Sequence, residues 1–373
     1  MSLMSELNQR ALHRGIPLSV HLDVTYRCNE RCEHCYLEHD GDGEMTTGEI
    51  KDILDQLAAA GVFFLTISGG EPLIRRDCFE IIEHARTLRF NVKLKTNAVL
   101  IREKEARRLR ELNVEQVQIS VYSHRAEVHD GISKLPGSLK RTLAGIRLLR
   151  AQGLKVTLAN VLMKRNLQDS DGVRQLATEV GAHYTLDPTI TPMMSGDTSV
   201  LRLRLPSAQL RSVFEDSNLV GDVAEFCAPP PPVDDDAREG YPCSAGHTAC
   251  YVSPRGEVYP CVQFPITCGN LRERSFRDIW ENSPQFLEVR SIRGKDLTIC
   301  SSCNHLGTCT RCPGLAWMEG NMRGPSSADC EKSYVRTGIA SAAMLARDGS
   351  SLTSAALGTL ATSGLVQIRP FAA

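Results

Sequence analysis

From residue 18 to residue 190 the chain alternates two patterns of apolar positions. Short runs rich in β-branched and aromatic residues fit strands, and stretches with an apolar residue every three or four positions fit helices. The predicted strands are Leu18–Thr25, Phe63–Ser68, Asn91–Thr96, Gln116–Val121, Lys155–Val161 and Tyr184–Pro188. Between them fall helices at Thr47–Ala60, Cys78–Leu88, Arg102–Leu112, Ser138–Gln152 and Gln168–Val180. In the first helix Ile50, Ile53, Leu54 and Leu57 form one apolar face, and Gly61 stops it. Six strands separated by helices predict right-handed βαβ crossovers and a parallel sheet. The fold class is therefore α/β, either doubly wound or a partial barrel. Ligands in both collect at the carboxyl ends of the strands, so the residues just after each strand are the ones to read for chemistry.

The regularity fades after Pro188. Ala228–Asp236 (APPPPVDDD) is expected to be a linker or exposed loop, since it neither pairs into a sheet nor continues a helix. Tyr251–Cys261 reads as a β-hairpin turning at Pro254-Arg255-Gly256, and Ser275–Ile292 as helix interrupted near Pro284. A last helix precedes a Ser/Gly/Ala-rich tail.

Composition excludes more than it suggests. Apolar residues make up 42% and charged residues 23%, an ordinary globular balance. Lys plus Arg number 43 against 44 Asp plus Glu, without the basic excess of proteins that bind nucleic acid or an anionic membrane surface. No apolar run approaches the roughly 20 residues that span a bilayer. The first 20 residues lack the apolar segment and cleavage site of a secretory signal, so a cytoplasmic protein is expected.

The fourteen cysteines change the picture. Cys28, Cys32 and Cys35 sit together, eight more form a series between residues 243 and 330, and Cys78, Cys227 and Cys268 stand outside both sets. A cytoplasmic protein of this size does not use a disulfide framework, and grouped thiols are better read as metal ligands. Cys28-x3-Cys32-x2-Cys35 lies on the loop after the first strand. Three thiolates there can hold three irons of a cubane and leave the fourth open, whereas electron-transfer cubanes use four cysteines. A structural zinc site completed by His34 or His39 is the alternative, though such sites usually begin with C-x2-C or C-x4-C.

The motif resembles that of the radical S-adenosylmethionine superfamily, in which an aromatic residue often precedes the third cysteine; His34 fills that place. The resemblance implies a partial (β/α)6 barrel whose open iron binds the amino and carboxylate groups of the cofactor. Ser68-Gly69-Gly70-Glu71-Pro72, at the end of the second strand, matches the family's GGE segment for the cofactor amino group. Glycines permit close backbone approach, and a carboxylate accepts from an ammonium. By the same resemblance Asn97 and Ser120, ending the third and fourth strands, contact the ribose or carboxylate, and Tyr36 packs near the adenine. The chain departs from many relatives in reading Ser120-Val121-Tyr122-Ser123 where they have Ser-Leu-Asp-Gly. An arginine that some use for the cofactor carboxylate is replaced near Ser133-Lys134.

The later cysteines run Cys243-x6-Cys250-x10-Cys261, then Cys300-x2-Cys303-x5-Cys309-x2-Cys312-x17-Cys330. This resembles the SPASM extension, a small cysteine-rich domain that holds two auxiliary four-iron clusters, and eight cysteines are the number two full cubanes need. The resemblance assigns Cys243, Cys250, Cys261 and Cys312 to the nearer cluster and Cys300, Cys303, Cys309 and Cys330 to the farther one. The short Cys309-x2-Cys312 spacing leaves their allocation open, and Cys268 rivals Cys250. A pair of zinc ribbons is the alternative. The expected organisation is a barrel over residues 18–190, a bridging region with linker over 191–242, the SPASM domain over 243–335 and a helix and tail over 336–373.

The resemblance thus implies three 4Fe-4S clusters and S-adenosyl-L-methionine, reductively cleaved to a 5′-deoxyadenosyl radical that abstracts a substrate hydrogen. Proteins with this two-part pattern, such as the mycofactocin and ribosomal-peptide maturases, mostly modify peptides, so the expected substrate is a precursor peptide. A flavodoxin- or ferredoxin-type donor would supply electrons. Val262, following Cys261, lacks the aspartate that sulfatase-maturing relatives carry there. Only 27 residues precede Cys28, too few for a leader-binding winged-helix domain, so a small leader-peptide-binding protein in trans is expected. Tetrapyrrole side-chain modification is the enzymatic alternative, and an iron–sulfur electron carrier the non-enzymatic one.

Overall fold

The computed structural model describes residues 3–347, and the predicted Ser/Gly/Ala-rich tail lies outside them. The chain divides into two compact units: Met1–Arg204 with Ala245–Val262 and Ile266–Leu287, and Leu205–Ser244 with Gln263–Pro265 and Glu288–Ala373.

The first unit is built on one sheet. Strands β1 (Ser19–Asp23), β2 (Phe64–Ser68), β3 (Asn91–Thr96), β4 (Gln116–Ser120), β5 (Val156–Val161) and β6 (His183–Asp187) pair in parallel in sequence order. The helices are α1 (Leu3–Arg14), α2 (Thr47–Ala59), α3 (Cys78–Thr87), α4 (Glu103–Glu111), α5 (Ala126–Ser133), α6 (Ser138–Ala151) and α7 (Ser170–Glu179). Thr46 and Glu49 form a capping box that starts α2, and Gly61 follows it at a φ of 93°. Ile50, Ile53, Leu54 and Leu57 of α2, Ile81 and Ile82 of α3, and Val20 and Leu22 of β1 share one buried core. The apolar pattern does not predict α1 or α5. A glycine within α5, Gly131, interrupts its apolar face; Val128 and Ile132 bury in a satellite cluster with Tyr122 and Met163, and the polar His129 and Ser133 bury beside them.

The predicted hairpin forms, as β7 (Ala249–Val252) and β8 (Glu257–Tyr259), with β9 (Gly269–Asn270) beside it. It is not a free-standing element: β7 lies parallel to β1, with Val20 opposite Cys250 and His21 opposite Tyr251, giving a nine-stranded sheet in the order β6-β5-β4-β3-β2-β1-β7-β8-β9.

The second unit is assembled from short helices, including Ser207–Phe214, Pro313–Met318 and Ser327–Thr337. The expected linker or exposed loop at Ala228–Asp236 has no helix or strand up to Asp234, and only its last two residues enter a helix. Asp234 accepts from Ala237 N at 2.8 Å and caps a one-turn helix, Asp235–Glu239. Gly294 packs on this turn so closely that a Cβ there would lie 2.1 Å from the Ala237 carbonyl.

Candidate functional site

After β1 the chain runs from Val24 to Thr46 without helix or strand, so other contacts must shape it. Thr25 Oγ1 and Tyr26 N donate to Glu44 Oε1 at 2.5 and 3.0 Å, and Arg27 pairs with Glu44 at 3.1 Å. Arg31 N and Glu33 N donate to the Ser133 and Ile132 carbonyls that end α5, at 2.9 and 3.0 Å. Lys134 is occupied with Glu33. The turn after β2 lies flat against the same loop, with Gly70 N on Thr25 O at 2.8 Å and Glu71 N on Arg27 O at 2.9 Å. A Cβ on Gly69 would stand 2.1 Å from Thr25 O, and one on Gly70 2.4 Å from Arg27 O. The paired glycines are therefore required by the contact between the two loops.

The loop gathers the first three cysteines. The Cys28 thiol accepts from Glu30 N at 3.4 Å, and that of Cys35 from Leu37 N. The Cys32 thiol lies 3.4 Å from Tyr122 Oη and 3.5 Å from Glu30 Oε2. Burial pushes all three thiols up, Cys28 to about 12. Positive charge placed among them would reverse that shift, and the N–H donors favour the ionised sulfur. Soft thiolates with N–H donors fit an iron–sulfur cluster. Asn29 Nδ2, Glu30 Oε1 and His34 Nδ1 are buried beside them without a protein hydrogen-bond partner, as groups that face a bound polar ligand are. The thiols are spread rather than convergent: among the described residues no three His, Cys, Asp or Glu side chains group closely enough to hold a single metal ion.

The other residues expected at the cofactor lie around this loop. Asn97 Nδ2 donates to Asn29 Oδ1 at 2.7 Å and stands 3.9 Å from the Cys28 sulfur. His34 packs edge-on to Tyr122 with ring centroids 4.8 Å apart, and burial lowers its pKa to about 4, leaving it neutral. Ser120 bonds the Tyr122 hydroxyl, and the Tyr36 carbonyl accepts from Met194 N at 2.9 Å. Glu71 differs from expectation. It is fully buried, and its oxygens accept from Leu73 N at 3.1 Å, Thr96 Oγ1 at 2.8 and 2.9 Å, and Asn97 N at 2.7 Å. Burial raises it to about 7 against these bonds. With both oxygens engaged, it pins the ends of β2 and β3 together rather than presenting a free carboxylate.

Two features are not legible in the sequence pattern. Tyr122, there only a departure from relatives, stacks on His129 at 5.3 Å and reaches Cys32. The other is a polar chain on the face of β1 opposite the core. His21 Nε2 and Asp23 Oδ1 are 3.0 Å apart, Tyr251 Oη donates to Asp23 Oδ2 at 3.0 Å, and Tyr26 Oη lies 2.9 Å from Tyr251 Oη. Burial lowers His21 despite the Asp23 charge, so its imidazole is neutral. The alternation Ser19, His21, Asp23 inside an otherwise apolar strand was the available signal.

In the second unit Cys300, Cys303, Cys309 and Cys330 line one cavity of about 460 Å³, together with Arg311. Burial pushes the thiols of Cys300 and Cys330 up to about 12 and 11. Cys243 and Cys312 also belong to this unit, whereas Cys250, on β7, and Cys261 belong to the first. Cys250 and Cys268 both lie in the apolar core of the first unit, and Cys78 is buried there on α3. Cys227 ends a one-turn helix, its thiol 3.6 Å from the Phe214 carbonyl.

Known proteins resemble the chain in both parts. It matches the radical SAM superfamily over residues 22–176 and SPASM, an iron–sulfur cluster-binding domain, over residues 243–304. It is 30% identical to an AdoMet-dependent heme synthase of Methanosarcina barkeri, covering 81% of this chain and 92% of that protein. It is 32% identical to a mycofactocin maturase of Mycobacterium tuberculosis, covering 79% and 78%. Among solved structures, Streptococcus suis SuiB bound to precursor peptide SuiA shares the fold with a TM-score of 0.70 at 18% identity, over 88% of this chain and 80% of that one. With a three-cysteine loop seated at the head of a parallel sheet and a cysteine-lined cavity in its second unit, the chain belongs to the radical S-adenosylmethionine superfamily and carries a SPASM iron–sulfur domain.

Proposed function

We propose that the chain is a radical S-adenosylmethionine maturase that abstracts hydrogen from a ribosomally made peptide, using three 4Fe-4S clusters. The observation that carries the reading is the loop of Cys28, Cys32 and Cys35, whose thiols and unpartnered polar neighbours suit a cluster with one open iron. When bound there, the reduced cluster and S-adenosylmethionine supply a 5′-deoxyadenosyl radical. The protein's part is placement and shielding. Asn97 and His34 offer polar groups beside the cysteines, Tyr36 follows Cys35 on the same loop, Ser120 ends β4, and the Gly69-Gly70-Glu71 turn holds the loop in place. In this reading the neutral His21, hydrogen-bonded to Asp23, accepts the proton a substrate releases when it is oxidised. Cys300, Cys303, Cys309 and Cys330 would hold the farther auxiliary cluster, and Cys243, Cys250, Cys261 and Cys312 the nearer.

The peptide substrate rests on likeness to the mycofactocin maturase and to the fold of SuiB. Partners in this reading are a leader-binding protein in trans and a flavodoxin- or ferredoxin-type donor, in the cytoplasm. Tetrapyrrole modification is the second reading, favoured by likeness to nearly the whole of a heme synthase. Anaerobic incubation with S-adenosylmethionine and reductant, offering a precursor peptide from a neighbouring gene or a tetrapyrrole, separates them by mass spectrometry. A mass change in the tetrapyrrole alone would sink the peptide reading.

A further inference from the structure

We propose that Arg311 is the counter-ion of the cluster held by Cys300, Cys303, Cys309 and Cys330, and that its fixed charge sets how readily that cluster takes up an electron. The inference rests on the proposed cluster site and adds to it a residue that is not a ligand.

Arg311 lines the same cavity as the four cysteines, and its side chain is buried, at 7% exposure. Nε donates to the Gly324 carbonyl at 2.7 Å and Nη2 to the Met322 carbonyl, while Nη1 is buried with no partner. Two backbone carbonyls orient the guanidinium but do not neutralise it. Three carboxylates share the cavity: Asp329 is paired with Lys332 at 2.6 Å and accepts from Cys312 N at 2.8 Å, Asp234 accepts from Ala237 N at 2.8 Å, and neither these nor Asp236 pairs with Arg311. A buried cation needs an anion, and among the described residues Arg311 makes no ion pair.

The cavity itself offers the solution. A cubane with four thiolates carries about −2 when oxidised and about −3 when reduced. Such a group would balance Arg311 and give Nη1 sulfur acceptors. A guanidinium suits this role, since it stays charged and its planar fork can hold two carbonyls while leaving a third donor free. Each electron taken up adds one negative charge to the cluster. A cation fixed beside it therefore stabilises the reduced form more than the oxidised one and raises the potential. The net effect is a cluster better able to accept an electron than its thiolates alone would make it.

The test uses the full chain, reconstituted anaerobically with Cys28, Cys32 and Cys35 replaced by Ala, so that only auxiliary clusters report. Arg311→Gln and Arg311→Lys are compared with this parent by iron analysis and by redox titration followed by electron paramagnetic resonance. The parent should hold about eight irons. At the potential that half-reduces the farther cluster in the parent, the reduced fraction should fall about tenfold or more in Arg311→Gln and stay near parental in Arg311→Lys. Loss of the cluster from Arg311→Gln but not from Arg311→Lys supports the same requirement for charge. Equal midpoints in parent and Arg311→Gln overturn the proposal, as does loss of the cluster from both variants, which would mark shape rather than charge. A parent with about four irons, whose Cys300→Ser/Cys303→Ser derivative keeps them all, overturns the cluster site itself and the inference with it.

Discussion

The two cysteine sites stand on opposite kinds of scaffold. In the first unit Cys28, Cys32 and Cys35 ride on a loop bolted to a sheet whose core is complete without them, from Val20 and Leu22 through Ile50 and Leu57 to Ile119 and Leu158. In the second unit an apolar cluster is as small as Leu315, Met318 and Ala328, and a cavity lined by four cysteines occupies space that side chains would otherwise fill. The first unit is a fold that holds a site, whereas the second is expected to draw part of its stability from what its cysteines bind. Metal binding free energy becomes folding free energy where the site does not exist in the unfolded chain. Removing ligands should therefore have opposite consequences in the two places.

The largest expected effect is chemical. Replacing Cys28, Cys32 and Cys35 by Ala should abolish 5′-deoxyadenosine formation while leaving the first unit folded and iron content falling from about 12 to about 8 per chain. Chromatographic assay and iron analysis test this; continued cofactor cleavage would remove the distinction between the sites. Next, Cys300→Ser with Cys303→Ser should leave the first unit intact and loosen the second by several kcal/mol. Limited proteolysis should then cut within residues 205–244 and 288–347 first. Equal resistance of the two variants would show that the second unit carries its own stability.

Within the first unit, His21→Asn should separate two steps. Cofactor cleavage should stay within about twofold, while product formation falls roughly a hundredfold if His21 is the proton acceptor. A parallel loss of both would assign His21 to structure instead. The smallest effect concerns the scaffold. Arg75 reaches the Val24 and Met45 carbonyls at 2.9 and 3.0 Å and pairs with Asp77 through contacts of 2.9 and 2.6 Å, so it clamps both ends of the cysteine loop. Burial alone would raise Asp77, but Arg75 and Thr47 hold its carboxyl at about 2. Asp77→Asn should lower stability by about 2 kcal/mol. Because the folded pKa lies below the unfolded value of about 4, the contribution is complete above that value and is lost only as pH falls towards 2. The difference in urea midpoint between wild type and Asp77→Asn should be the same at pH 7 and pH 5.5.

Local pattern and spacing carried the six parallel strands of the first unit and the helices α2, α3, α4, α6 and α7 to within a residue or two, but not α1 or α5, because periodicity is written in consecutive residues. They also carried the membership of the superfamily, because the three cysteines of the first group lie only seven positions apart from end to end. Position along the chain was enough to place Gly69, Gly70 and Asn97 at strand ends. It did not say what they touch. That the glycines make room for Thr25 and Arg27, that Glu71 is spent on Thr96 and Asn97, and that Tyr122 meets Cys32 are contacts across separate strand ends, fixed only when the sheet forms. The union of β1 with β7 joins residues some 230 positions apart, and no periodicity in either segment specifies the other. Arg311 is the extreme case: in sequence it is one of two polar residues between Cys309 and Cys312, and only burial in a cavity lined by four cysteines, without an ion-pair partner among the described residues, turns it into a charge that calls for an anion. Elements and cysteine motifs were legible in the order of residues, since both depend on near neighbours. Which groups lost water and partners became definite only on packing, since burial is a property of the folded whole.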